Sequence, residues 1–333
     1  MQNSFIGQIG DPSIDHSYWG RPEDQTGQRP CYTWDMTKQP ASDLAGAAAA
    51  ALATASIVFK QSDSSYAETA LSHAKQLYSA ATSNQGLYSS SYSSATYVYQ
   101  SSSYLDDLAL AAVTLWKATG DQSYLSDALA YRKNTKFNKA LSLSWDDVGV
   151  LSAVLLKCSG QSTSESDAHI ANFLQTWESC NSNGFQIIGG GMCAAPLGGW
   201  GNLRYTLNAA FASLIYASCE TDTSKRSRAI DWAASQVNYA LGSSGRSYVV
   251  GFGNNPPTHE HHRGASCPDE PAPCGWDQYS TPNSNPQVLY GALVGGPTTD
   301  GYTDERSNFQ TNEVAMDFNA GFTGALAGLL AFS

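Results

Sequence analysis

From Asp43 to Lys60 the chain places eight alanines in eighteen residues, with one glycine and no proline among them. Alanine is the strongest helix former and gives up no side-chain entropy on folding. The segment therefore predicts a helix, opened by Ser42 and Asp43, both good capping residues. Such a helix presents a narrow, small-residue face, and that face is useful only where neighbouring helices approach closely. The rest of the chain supplies them. Helical periodicity recurs over Tyr66 to Ala81, Asp106 to Ala118, Ser123 to Arg132, Asp146 to Lys157, Glu165 to Glu178, Asn202 to Ala217, Lys225 to Leu241 and Asn312 to Leu330. The joints are turn-formers such as Thr119-Gly120-Asp121-Gln122 and Ser159-Gly160-Gln161-Ser162. Nine helices in hairpin succession point to an all-α protein, and the small faces suit a double-layered helical barrel.

One stretch breaks the pattern. Gly242 to Thr311 shows almost no helical period and is rich in Gly, Pro and Asn. A long ordered loop in a compact domain usually carries function. This one holds His259-Glu260-His261-His262-Arg263 and then Asp304, with Glu313 nine residues further on, among Tyr302, Phe309 and Phe318. Paired carboxylates beside His, Arg and aromatic rings equip a site that cleaves sugars. One carboxylic acid protonates the departing glycosidic oxygen, another carboxylate activates water, and rings pack on the apolar sugar faces.

Composition narrows the alternatives. The 333 residues fit one large domain or two ordinary ones, and 42% hydrophobic content allows a sizeable core. The net charge is −11 and no basic run occurs, so nucleic acid and anionic membranes are poor partners. No apolar run has membrane-spanning length, and a monomer is expected. Seven cysteines suggest an oxidising compartment. Cys180 with Cys193 and Cys267 with Cys274 are the candidate pairs, and an odd total leaves one thiol over. No phosphate-loop, Gly-x-Ser-x-Gly or His-Glu-x-x-His pattern is present.

The chemical residues also carry a resemblance. Tyr302-x-Asp304, Phe309, Glu313-x-Ala315 and Asn319-Ala320 resemble the C-terminal motif of glycoside hydrolase family 9, the inverting β-1,4-glucanases. Ser247 to Asn255 through His261-His262-Arg263 resembles its second motif. Trp19-Gly20-Arg21-Pro22-Glu23-Asp24, Trp145-Asp146-Asp147, Trp200 to Tyr205 and Val288 to Pro297 are similar too, in family order. The resemblance covers essentially the whole of residues 1–333, read as a single catalytic domain.

The resemblance implies a fold, a reaction and roles. The fold is an (α/α)6 barrel of twelve helices, here incomplete at its N-terminus with nine of them visible. The activity is hydrolysis of internal β-1,4-glucosidic bonds in cellulose or related glucans by a secreted enzyme that needs no cofactor. Glu313 is the general acid, Asp304 supports the site, and His261 and Arg263 touch substrate. Trp200 stacks a sugar and Arg204 binds its hydroxyls, while His16 and Trp19 wall another subsite. Ser102, Asp106, Asp107 and Asp146 resemble a calcium site found in part of the family. Glu260 stands where the family usually has an apolar residue or proline. Leu141 and Ser101 stand where some members have Trp, and Phe318 replaces a Tyr. The family's Asp-Ala-Gly-Asp motif, which holds the water-activating carboxylate, does not occur in the chain and is expected upstream of it. The rival reading is a non-catalytic glucan-binding chain or an inactive fragment.

Overall fold

The computed structural model describes residues 4–92, 99–133 and 140–333. They divide into two compact units, Met1–Ile9 with Pro30–Phe173, and Gly10–Arg29 with Leu174–Ser333.

The first unit is built around the alanine-rich helix, which runs Ser42–Phe59. Ala45, Ala49 and Ala53, spaced by four on one face, are fully buried. That face lies against the helices Ser64–Ser83 and Leu105–Thr119. Leu108, Val113 and Leu115 complete the core with Trp34 and Met36. The start of the central helix differs from expectation. Its cap position is Ala41, which makes no side-chain bond. Ser42 Oγ instead donates to the Ala81 carbonyl at 2.8 Å and accepts from Gly86 N. Asp43 accepts the backbone N–H groups of Leu44 and Tyr88. The residues read as caps thus stitch the helix to the end of its neighbour. By length and composition this helix could cross a membrane, but its small-residue face is core.

Other helices of this unit follow their local signals. Asp63 and Asp121 cap Ser64–Ser83 and Gln122–Arg132 by accepting from Tyr66 N and Ser123 N. The Asp146 start expected for the next helix moves to Gly149. Asp147 Oδ1 accepts from Gly149 N, and Asp106 Oδ2 reaches across to Val148 N at 3.0 Å. A small antiparallel ribbon, Ser4–Ile9 with Cys31–Asp35, pairs Phe5 with Trp34 and was not visible as helical or strand periodicity.

In the second unit the helices Asn202–Cys219, Thr223–Leu241 and Met316–Phe332 enclose Leu203, Leu207, Leu214, Val237, Phe318 and Phe322. The first and last of these approach closely at Gly321, where a Cβ would lie 2.1 Å from Asn208 Oδ1 and 2.7 Å from Asn208 Cα. The last helix begins at Met316, four residues later than its pattern implies. Asn312 belongs to a separate turn, Phe309–Asn312, and its Nδ2 donates to the carbonyls of Thr303 and Glu305. Residues 313–315 are thereby left extended.

The long irregular segment is held by its own polar groups. The buried Arg306 donates to Asn285 Oδ1 at 2.6 Å and to the carbonyls of Gln278, Thr281 and Asn283 at 2.8, 3.0 and 2.8 Å. These charge-assisted bonds replace a regular ladder. The segment contains the short helices Arg263–Ser266 and Trp276–Ser280, with a Cys267–Cys274 disulfide between them. A second disulfide joins Cys180 to Cys193, and Cys31 is free and exposed.

Candidate active site

All the residues read as acid, imidazole, arginine and sugar platform fall in the second unit. Glu313 sits in the extended break between the Phe309–Asn312 turn and the last helix. Its backbone is fixed on both sides. Glu313 and His261 form a parallel bridge, with His261 N donating to Asn312 O at 2.8 Å. Gly295 N donates to the Glu313 carbonyl at 3.1 Å. The half-buried side chain accepts a 2.7 Å hydrogen bond at Oε2 from Trp200 Nε1. Trp200 in turn meets Phe309 with ring centroids 4.8 Å apart, and is 43% exposed. Gly201, next to Trp200, packs its backbone on the Phe318 ring. Its φ is +64°, and a Cβ there would meet the Phe318 ring at 2.6 Å.

His261 stands beside the acid. Its Nδ1 lies 2.7 Å from the Arg306 carbonyl, which can only accept, so Nδ1 carries the proton and Nε2 is the acceptor. Burial lowers its pKa, the Arg306 carbonyl and Glu313 oppose that, and Arg263 and His16 lower it further. His16, Arg263, His261 and Glu313 thus share one electrostatic neighbourhood. The extended backbone at His261 ends at His262. That residue caps a short helix, its Nδ1 accepting from Ala265 N at 3.0 Å, and Arg263 is the first helical residue.

Asp304 does not pair with Arg306. Its carboxylate accepts from Thr258 N at 2.9 Å, from Thr258 Oγ1 and from His259 N, and lies 3.3 Å from His259 Nδ1. It holds the loop that leads to His261 and is a positioning group. Arg204 is also turned inward. It is 8% exposed and donates to Asp317 Oδ2 at 2.8 Å and to the Tyr205 hydroxyl at 2.7 Å, with its guanidinium over the Phe318 ring. Its contribution is to shape the wall behind Trp200. Asp317, its partner, was not singled out in the sequence, although its spacing of four from Glu313 puts it on the following helical turn.

Trp19 is buried, donating from Nε1 to Ser266 Oγ at 2.9 Å, with its ring edge-on to His261 at 5.1 Å. It supports the imidazole and presents no open face. The open ring is Trp276, 50% exposed, 5.8 Å from Trp19 and 5.5 Å from Tyr279. Sequence reading missed this pair. The available signal was a Trp placed directly after a cysteine and glycine in an irregular loop.

The proposed calcium residues lie in the first unit. Asp146 Oδ1 accepts from Ser102 N at 2.6 Å, so Ser102 turns its amide, not an oxygen, toward the carboxylate. Asp106 Oδ1 is buried without a hydrogen bond, and burial raises the pKa of Asp106 and Asp107 and pushes Asp147 up to about 8. An orphaned oxygen is the right chemistry for a hard cation. Yet no three acidic, His or Cys groups converge on one point among the described residues. The carboxylates as placed do not form a calcium cage.

A carboxylate clasped by an indole, a neutral imidazole beside it and a wall of rings, on loops held between helices, point to a carbohydrate-active protein of the all-α class. The family model described as glycosyl hydrolase family 9 matches residues 1–326, and the chain belongs to that family. It is 41% identical over 342 residues to Endoglucanase B of Cellulomonas fimi, covering 98% of this chain and 32% of that one. Against the solved endoglucanase of the termite Nasutitermes takasagoensis the TM-score is 0.91 at 41% identity, covering 100% of this chain and 75% of the other. Against the cellulase Cel9M of C. cellulolyticum in complex with cellobiose the TM-score is 0.86 at 34% identity, covering 100% and 74%. These similarities carry the (α/α)6 barrel assignment. The chain spans about a third to a half of the length of the bacterial relatives it matches.

Proposed function

We propose that this chain carries the acid side of an inverting endo-β-1,4-glucanase site, with Glu313 as the proton donor. The observation that carries the proposal is the Trp200–Glu313 hydrogen bond at 2.7 Å. A sugar ring stacked on the exposed indole lies beside the carboxyl that must protonate the leaving oxygen. His261 Nε2 is an acceptor for a sugar hydroxyl, oriented by its Nδ1–H bond to Arg306. His16 and Arg263 add donors at the same place. The cellobiose complex of a relative supports a glucan ligand.

The base is a different matter. Asp304 spends its oxygens on Thr258 and His259, so it is not free to activate water. We assign that role to the family's Asp-Ala-Gly-Asp motif, a tetrapeptide these 333 residues do not contain. The family match runs over both compact units, which supports reading them as parts of one catalytic domain. The Cys180–Cys193 and Cys267–Cys274 disulfides support a secreted setting.

The test is reducing-sugar release from carboxymethylcellulose by residues 1–333, alone and fused to an upstream segment bearing that motif. We expect turnover from the fused protein, reduced by about 10²–10⁴-fold on Glu313→Gln. Turnover that survives the substitution would remove Glu313 from the role. Tight cellotetraose binding without turnover in the fused protein would favour a purely binding function.

A further inference from the structure

We propose that Asn312 is a positioning residue for the proton donor, and that its side chain sets where His261 stands against Glu313. The proposal rests on the reading of Glu313 as the acid. Asn312 is fully buried and directly precedes Glu313 in the chain. A side-chain amide offers two donors and an acceptor, and here every one is used. Nδ2 donates to the Thr303 carbonyl at 2.6 Å and to the Glu305 carbonyl at 3.0 Å. Carbonyls only accept, so the nitrogen must face them. Oδ1 is then left to accept from the Tyr302 hydroxyl. A leucine there would keep the size of the side chain and lose all three bonds.

These bonds belong to a closed circuit. Thr303 and Glu305 flank Asp304, whose carboxylate accepts from Thr258 N and His259 N. Two residues beyond His259, the His261 N–H returns to the Asn312 carbonyl at 2.8 Å. The path leaves Asn312 through its side chain and comes back through its backbone. Arg306, which follows Glu305, supplies the carbonyl that holds His261 Nδ1. The neighbouring main chain is tied independently. The carbonyls of Gln310, Thr311 and Glu313 accept from the N–H groups of Gly201, Gly296 and Gly295 at 3.0, 2.9 and 3.1 Å. Those bonds place the backbone of the acid, and the Asn312 amide ties the 302–306 stretch to it. Slack in the amide therefore moves the imidazole relative to the carboxyl. A misplacement of about 1 Å in a reacting group can cost roughly 10²-fold in rate.

The test compares Asn312→Leu and the milder Tyr302→Phe with the parent, using Glu313→Gln as the reference for the acid. Turnover of cellotetraose is measured in the protein fused to the upstream segment. Nitrogen-15 NMR of the His261 ring is measured on residues 1–333, its signals assigned by their loss in His261→Gln. We expect Asn312→Leu to lower kcat about 10- to 10²-fold while KM stays within about twofold. Tyr302→Phe should do the same to a smaller extent. The two ring nitrogens of His261, one protonated and one bare in the parent, should draw together in shift as the tautomers mix. A merely structural role would lower the thermal melt and leave kcat and the imidazole signals of the folded variants unchanged, which overturns the proposal. So does a loss confined to KM. If Asn312→Leu does not fold, Tyr302→Phe decides alone. Glu313→Gln inactive beside a fully active Asn312→Leu removes the positioning role and leaves the acid in place. An active Glu313→Gln removes the acid reading itself, and with it this proposal. If the fused protein has no turnover, the glucanase reading fails and the imidazole signals alone decide whether Asn312 places His261.

Discussion

Replacing Glu260 by Met should stabilise the protein, and more so as the pH rises. Glu260 is 1% exposed, and neither carboxyl oxygen has a hydrogen-bond partner. Burial is the largest effect and raises its pKa above the ordinary 4.5; the nearby Glu260 N–H and Asn285 amide oppose it, Asp304 adds to the rise, and Arg306 opposes it. Methionine has similar length and no polar head, so the shape is kept while both orphaned oxygens go. An unsatisfied buried polar group costs about 1–3 kcal/mol. The lost attraction to Arg306 offsets part of that, leaving an expected gain of about 1–2 kcal/mol at pH 8. A carboxyl with a raised folded pKa gives its full stability below the unfolded value and loses it as pH rises through the folded one. The advantage of Glu260→Met is therefore smallest near pH 4.5 and grows toward pH 8. Urea unfolding followed by circular dichroism at both pH values measures it. A variant less stable than the parent at pH 8, or a difference that ignores pH, would mean that Glu260 is ionised and held by Arg306, and the reasoning would fail.

Two further outcomes follow from the core. His169 is buried between the Ala140 carbonyl at Nε2 and the Arg132 guanidinium at Nδ1, and burial lowers its pKa from 6.5 to about 4. A depressed His contributes stability that is present above pH 6.5 and is lost as pH falls toward 4, at 1.36 kcal/mol per unit, or about 3 kcal/mol in all. His169→Gln, compared with the parent from pH 7.5 to 4.5, should flatten that part of the stability curve; an unchanged slope would mean His169 titrates normally. Gly321→Ala should cost about 1–3 kcal/mol in a denaturant melt, because the added carbon meets Asn208 backbone as well as its side chain. A loss below about 0.5 kcal/mol would mean that the helices separate easily there.

The helices were legible because their signal is local. Alanine content, 3.6-residue spacing and Gly or Asp punctuation located Ser42–Phe59, Gln122–Arg132 and Thr223–Leu241 within a residue or two of their bounds. Where starts shifted, at Gly149 and Met316, a side chain from elsewhere competed for the backbone, Asp106 in one case and the Asn312 network in the other. Candidate site residues were legible as a set and less so as individuals. Trp19 and Arg204 were read as facing sugar, yet their partners Ser266 and Asp317 turn them inward. No spacing rule reports which way a ring or guanidinium points. Trp276 and Tyr279 escaped for the converse reason, since their exposure depends on packing against Trp19, far away in sequence.

Arg306 has a consequence for how this surface can change over time. Its contacts to residues 278, 281 and 283 are all to main-chain carbonyls. Those three positions can exchange side chains without loosening the grip, so the outer rim is free to drift and adapt to new ligands. The arginine itself, and Asn285 beneath it, are not free, because a lysine has too few donors in too loose a geometry to replace the fork. Since the carbonyl of the same residue orients His261, variation at the rim is decoupled from the alignment of the imidazole beside the acid.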